Sequence, residues 1–282
     1  MKILVTGSNG QLGRALTRSL AAHELVLRDL PELDVAEPRA VAALLDAESP
    51  DQVVNAAAYT AVDAAESDGE GAFRGNVTAP RVLAEATAAR RIPIVHVSTD
   101  YVFDGETERP YVESDAPSPR TVYGHTKLAG EEAVRAANPE HFVVRTAWLY
   151  STGGSNFALT MLGAAERGSV RVVDDQIGSP TYAAHLADGI AQLIGRTDWG
   201  TVHMANRGQT TWYGLTRALY AELGLDCEVA PCTTDEFPRP AERPRYSALA
   251  TEREPAILLP PWEEGVRDFA SDLRAARAAG TP

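Results

Sequence analysis

A short apolar run, Lys2-Ile3-Leu4-Val5-Thr6, leads directly into Gly7-Ser8-Asn9-Gly10-Gln11-Leu12-Gly13 and then into apolar positions at helical spacing through Leu16 and Leu20. The run reads as a buried strand, the glycines as a tight turn and the remainder as a helix. That order makes a phosphate-binding unit: glycine lets the backbone turn sharply and approach a pyrophosphate, whose charge meets the amides at the helix N-terminus. Gly7, Asn9, Gly10, Gln11, Leu12 and Gly13 are therefore candidate dinucleotide contacts, although the spacing is G-x-x-G-x-x-G rather than G-x-G-x-x-G. A second strand, 25–28, ends at Asp29, where a carboxylate can accept hydrogen bonds from an adenosine ribose. Taken alone, the motif leaves a purely structural glycine turn open.

Further along, strand-like and helix-like segments alternate, with strands expected at 2–6, 25–28, 52–54, 92–97 and 142–146. This alternation predicts an α/β fold, a Rossmann-type doubly wound parallel sheet. In such sheets ligands bind beyond the carboxyl ends of the strands, so Gly7, Asp29, Asn55-Ala56-Ala57-Ala58 and Ser98-Thr99 should border one crevice. After residue 148 the pattern changes to loops rich in Gly, Ser and Pro, helices near 156–167 and 212–223, and a Pro- and Arg-dense segment at 238–247. We expect a dinucleotide-binding domain over 1–148, with a returning element around 168–200, and a smaller α/β substrate-binding lobe formed mainly by 149–282. There is no internal repeat.

Composition narrows the function. With 282 residues, 44% of them apolar, the chain can bury a sizeable core, and a formal charge of −13 argues against a nucleic-acid partner. No apolar run approaches the roughly 18 residues of a membrane span, and the first residues read as a strand rather than a signal peptide, so the expected location is cytoplasmic. Cys227 and Cys232 are expected as reduced thiols, and Asp174-Asp175 as turn residues rather than metal ligands.

Lys127 is one of two lysines in a chain with 24 arginines, and it follows Tyr123 by four residues. At that spacing the phenol and the ammonium share a helix face. Where guanidinium is otherwise preferred, a lone ammonium suggests a need for a compact, rotatable charge. A cation beside a phenol should pull its pKa down from roughly 10, which makes Tyr123 a candidate general acid or base. Thr99, just past the strand at 92–97, can join them beside a nicotinamide. His125 should face solvent from another side of the helix.

With the glycine motif, the Thr99/Tyr123/Lys127 group resembles the extended short-chain dehydrogenase/reductase family. The segments Asn55 to Glu66, Ser98 to Phe103, Tyr123 to Glu131, Arg145 to Trp148, Asp175 to Thr181, Thr211-Trp212-Tyr213 and Arg243-Pro244 with Ser247 resemble, within it, the dTDP-4-dehydrorhamnose reductases. The resemblance covers nearly the whole chain. It implies hydride transfer from NADPH or NADH to the C4 ketone of dTDP-4-dehydro-β-L-rhamnose, giving dTDP-L-rhamnose, with Tyr123 protonating the nascent alkoxide, Lys127 holding the nicotinamide ribose and Thr99 bonding the carbonyl oxygen. It extends the cofactor contacts to Asp34, Val35, Ala56, Ala57 and Ala58. For substrate it implies Thr60, Val62, Thr99, Asp100, Tyr101, Tyr123, Trp148, Trp212 and Arg243. It also allows a homodimer, and by analogy magnesium, without indicating ligands.

Tyr101, where dehydratases of the extended family place Glu, favours ketone reduction over 4,6-dehydration. Core packing is the alternative for Trp148 and Trp212, and a solvated arginine near Arg239 and Arg245 the alternative for Arg243. Asp29 favours NADH, whereas Arg28 could attract the 2′-phosphate of NADPH, so both cofactors are expected to work. Two other functions fit the same residues: reduction of a different dTDP-4-keto-6-deoxyhexose, and a non-catalytic nucleotide-binding subunit like the regulatory protein of methionine adenosyltransferase.

Overall fold

In the computed structural model, which describes residues 1–278, the first half alternates strand and helix. Its strands are β1 (Lys2–Thr6), β2 (Glu24–Arg28), β3 (Gln52–Asn55), β4 (Ile94–Thr99) and β5 (His141–Thr146). Its helices are α1 (Gln11–Ser19), α2 (Pro38–Glu48), α3 (Val62–Ala65), α4 (Gly69–Phe73), α5 (Ala79–Ala88) and α6 (Val122–Ala137), with a π-helical turn at Arg74–Thr78 between α4 and α5. The second half contributes β6 (Leu149–Tyr150), α7 (Phe157–Ala165), β7 (Ser169–Val173), β8 (Ile177–Gly178), β9 (Thr181–Tyr182), α8 (Ala183–Ala191), β10 (Gly200–His203), β11 (Thr210–Thr211), α9 (Trp212–Leu223), β12 (Glu228–Cys232) and α10 (Trp262–Ala278).

The main sheet is parallel with strand order β10-β5-β4-β3-β1-β2. Both faces are covered, which is why its strands read as continuous apolar runs. Ile3, Val5, Val54 and Val95 point to a core completed by Leu12 and Leu16 of α1 and by Leu186 and Ile190 of α8. Leu4, Val53 and Ile94 point the other way, onto Val41 and Leu45 of α2, Leu83 of α5 and Val134 of α6. The element that returns to this sheet is α8 followed by β10, while β7 pairs with β12 in the second half. Strand β4 runs two residues past the expected end because Ser98 and Thr99 pair with Arg145 and Thr146. Among the described residues no helix is long and apolar enough to cross a membrane.

The chain order reverses at β1, whose neighbours are β2 and β3. A crevice therefore opens beyond the carboxyl ends of β1 and β3, the place where this class of sheet binds ligands.

Candidate active site

The glycine turn closes on the floor of this crevice. Gly7 has φ +71°, and a Cβ there would lie 2.5 Å from the Ala57 nitrogen; one on Gly13 would lie 2.2 Å from the Gly7 oxygen. The loops after β1 and β3 thus touch backbone to backbone, and Asn55 holds them so. Its Oδ1 accepts from Thr6 Oγ1 at 2.7 Å and from the Ala57 N–H at 3.2 Å, and its Nδ2 meets His96 Nδ1 at 3.0 Å. Gly10 caps α1 without a side-chain acceptor, which leaves the amides of the first helical turn for an anion. The close glycine turn and uncapped helix suit a dinucleotide pyrophosphate, with Gln11, Leu12 and Gly13 in that first turn. Ala56, Ala57 and Ala58 follow on the opposite wall, half-buried.

Asp29, the expected ribose contact, has bonds of its own within the protein. Its Oδ2 accepts from the Asn9 N–H and its Oδ1 from the Leu30 N–H, both at 2.8 Å, so it also fixes the glycine turn to the end of β2. Arg28 does not turn toward a 2′-phosphate. Its guanidinium runs to Glu48 at 3.1 Å, a carboxylate that also takes Lys2 at the amino edge of the sheet. Asp34 is bound to Arg74 at 2.5 Å and to the Ala36 N–H at 2.9 Å, and Val35 packs on the α2 side of the core.

Thr99 ends β4, and α6 brings Tyr123 and Lys127 toward it. Thr121 caps α6 by accepting from the Gly124 N–H at 3.0 Å. Two glycines then set how closely the helix lies. A Cβ on Gly124 would be 2.3 Å from the Tyr101 oxygen, and one on Gly130 would be 2.0 Å from the Asn76 oxygen in the π-helical turn. Tyr123 and Lys127 are buried as a result, and Tyr123 meets Tyr101 edge-on with ring centroids 5.5 Å apart. His125 is exposed.

The electrostatics differ from the sequence expectation. Burial pushes the Tyr123 phenol well above its ordinary pKa; the hydrogen bond with Thr99 pulls the other way, and Asp100 adds to the rise. Lys127 does not depress it, because desolvation of a phenolate dominates and the ammonium donates to the Val97 carbonyl at 2.7 Å. Burial lowers Lys127 itself to about 8, opposed by Glu131. Glu131 is held charged by Arg145, whose Nε and Nη2 reach its two oxygens at 2.9 and 2.7 Å, by Arg135 at 2.6 Å and by Ser98 at 2.5 Å. Asp100 is buried beside Thr99, and desolvation raises it to about 6.

On the far side, Trp148 and Trp212 form one unit: their rings stack 3.5 Å apart at 4°, both half-buried. Trp148 reaches this position at φ +47°, a region costly for a bulky residue, and Gly178 makes room, since a Cβ there would lie 2.3 Å from the indole. Gln176 accepts from Trp212 Nε1 at 3.0 Å. Arg243 is not a free surface arginine. It pairs with Asp63 of α3 at 2.9 Å and its charge faces Tyr101. Val62 starts α3 and packs with Tyr59, Tyr101 and Tyr123, while Thr60 is exposed at the entrance. Sequence reading missed Asp63, Ser247 and Asn76. Only Asp63 and Ser247 lay within segments whose likeness could have pointed to them.

No group of three or more His, Cys, Asp or Glu side chains placed to hold a metal occurs among the described residues, so no step is assigned to magnesium.

The family model described as RmlD substrate binding domain matches residues 1–275. A protein of Streptomyces antibioticus named probable dTDP-4,6-dihydroxy-2-methyloxan-3-one 4-ketoreductase is 44% identical over 98% of this chain and 97% of its own length. The dTDP-4-dehydrorhamnose reductase of Burkholderia thailandensis is 42% identical over 97% of this chain and 99% of its own. The crystal structure of dTDP-4-dehydrorhamnose reductase from Bacillus anthracis in complex with NADP superimposes with a TM-score of 0.94 at 35% identity, covering 96% of this chain and 99% of that one.

Proposed function

Because the chain belongs to the RmlD substrate binding domain family, we propose that it reduces the C4 ketone of dTDP-4-dehydro-β-L-rhamnose to dTDP-L-rhamnose, using NADPH or NADH. The observation that carries this reading is the convergence of Thr99, Tyr123 and buried Lys127 along a crevice whose floor is the glycine turn. A reduced nicotinamide bound there supplies the hydride. Tyr123 then gives its phenolic proton to the oxygen at C4. Its raised pKa keeps that proton in place until the alkoxide, a far stronger base, develops. Thr99 donates to the same oxygen as charge builds on it. Lys127, still mostly charged at neutral pH, sits where it can address the nicotinamide ribose from beside the Val97 carbonyl. Residues of the second half, outside α8 and β10, form the substrate lobe: Trp212, stacked on Trp148 from the end of the first half, gives the sugar an aromatic wall, and Arg243 offers a charge to the diphosphate.

The reading extends to a cytoplasmic enzyme able to pair as a homodimer, which sedimentation of the purified chain tests. Activity is tested by incubating the chain with the dTDP-4-keto sugar and each reduced cofactor. Loss of reduced-nicotinamide absorbance with dTDP-L-rhamnose identified by NMR is the expected result; cofactor binding without oxidation would mean a non-catalytic nucleotide-binding subunit. The likeness to the Streptomyces antibioticus ketoreductase favours a second substrate, another dTDP-4-keto-6-deoxyhexose. The ratio of kcat/KM for the two sugars decides between them.

A further inference from the structure

Thr99 has one proton and two lone pairs, and three neighbours compete for them. Its Oγ1 lies 2.9 Å from Asp100 Oδ1, accepts from the Tyr101 N–H at 3.2 Å, and faces the Tyr123 phenol, whose pKa it lowers. If Asp100 is ionised, the single Thr99 proton must go to its carboxylate. Only a lone pair then faces the phenol and the substrate oxygen, where it would repel the negative charge that reduction creates. If Asp100 is neutral, its own O–H donates to Thr99 Oγ1. Both Thr99 lone pairs are then used, one by Tyr101 and one by Asp100, and the Thr99 proton is free for the reacting oxygen.

The other carboxyl oxygen points the same way. Asp100 is 2% exposed and its Oδ2 has no hydrogen-bond partner. A bare carbonyl oxygen is tolerable in such a place, whereas half of a bare carboxylate is not. The groups facing Asp100 do not offset this. Tyr101 lies on its own turn and Tyr123 on α6, both protonated; Ser247, Thr99 and the Asp100 and Tyr101 amides pull the carboxyl pKa down, but burial outweighs them; and Arg243 is paired with Asp63 of α3.

We propose that Asp100 is a positioning residue that works as a neutral acid, holding the Thr99 hydroxyl so that its proton points at the ketone oxygen. The inference rests on the ketone-reductase reading of the same site. Burial supports it by raising the carboxyl to about 6, far above an ordinary aspartate, so that the neutral acid dominates below that pH and is roughly a tenth of the population at pH 7.

The test compares wild type, Asp100→Asn and Asp100→Leu across pH, with folding checked by thermal melting. It also follows 13C NMR of protein labelled at the aspartate carboxyl carbon, the Asp100 signal being the one missing in Asp100→Asn. The Asp100 carboxyl should titrate near 6 in wild type, and wild-type kcat/KM should fall about tenfold per pH unit above that point. An asparagine amide donates to Thr99 at every pH, so Asp100→Asn should lose this limb and keep kcat within about tenfold of the wild-type plateau. Asp100→Leu should lower kcat about 100-fold or more with little change in KM, since a direct sugar contact would appear in KM instead. An ordinary carboxyl titration, a limb that survives in Asp100→Asn, or an Asp100→Asn variant as slow as Asp100→Leu would each overturn the proposal. Wild type that oxidises no cofactor with either sugar would defeat the reductase reading, while the NMR titration would still decide the protonation state.

Discussion

Lys127 meets two opposed demands, since the chemistry wants its charge and its surroundings oppose it. Its pKa falls from 10.5 to about 8, so between those values the folded protein binds fewer protons than the unfolded chain, and stability rises with pH across that window. At neutral pH the full cost of burying the ammonium is therefore present, on the order of 2–4 kcal/mol at most. Lys127→Met should relieve it: the melting temperature at pH 7 should equal or exceed that of wild type, while turnover is lost. A lower melting temperature would mean that the bond to Val97 outweighs the desolvation. Lys127→Arg should fold but raise the cofactor KM and lower kcat together, because a planar guanidinium does not fit where the ammonium lies 2.7 Å from a β4 carbonyl. Tyr123→Phe should lower kcat about 100-fold or more, with cofactor affinity largely kept, since only the proton donor is removed. Fluorescence titration with NADPH alongside steady-state kinetics separates the two effects.

At the scale of elements, α6 shows what a sequence does and does not make legible. The Tyr123/Lys127 spacing is a local property of a helix, and so are the apolar periods of β1 to β5, which is why the central strands and the pairing of these two residues on one helix could be read directly. Gly124 and Gly130 belong to the same stretch, yet their role depends on the Tyr101 and Asn76 carbonyls that happen to lie opposite. The sixth strand escaped for a similar reason. Gly200-Thr201-Val202-His203 has no apolar alternation and becomes a strand through pairing with β5, helped by Glu113 accepting from the His203 N–H at 2.8 Å. The Trp148–Trp212 stack depends on a left-handed backbone at Trp148 that no local pattern encodes, and Arg28 was claimed by Glu48, twenty residues away. The closeness of α6 can be tested. Gly130→Ala would put a methyl 2.0 Å from the Asn76 oxygen, so it should cost about 1–3 kcal/mol of stability and, by lifting the helix, lower kcat as well. Urea unfolding at constant m-value measures the first effect. An unchanged midpoint would show that the π-helical turn yields without cost.

Across the whole molecule the two halves must agree on where the nucleotide sugar lies, and ion pairs span them near the entrance, Arg120 with Glu242 and Arg243 with Asp63. Arg243 comes from the Pro- and Arg-dense loop of the second half and Asp63 from α3 of the first; besides their 2.9 Å pair, Asp63 accepts from the Ala241 N–H at 3.2 Å and so holds the loop itself. A partly buried pair of this kind organises the guanidinium before substrate arrives, which lowers the cost of ordering it on binding. If Arg243 then serves the diphosphate, it contributes equally to ground state and transition state. Its loss should therefore appear in KM for the nucleotide sugar and hardly in kcat. For a charge-assisted contact of about 1.5–3 kcal/mol, Arg243→Ala should raise that KM roughly 10- to 150-fold. Asp63→Ala should raise it less, because the cation remains but is no longer held. The double variant should match Arg243→Ala alone, since Asp63 acts through Arg243, and a double-mutant cycle on KM measures this non-additivity. Additive losses would separate the two residues, leaving Asp63 as a loop anchor and Arg243 as a contact positioned by something else. Unchanged KM in Arg243→Ala would remove the arginine from the site and leave the diphosphate to be met by other groups.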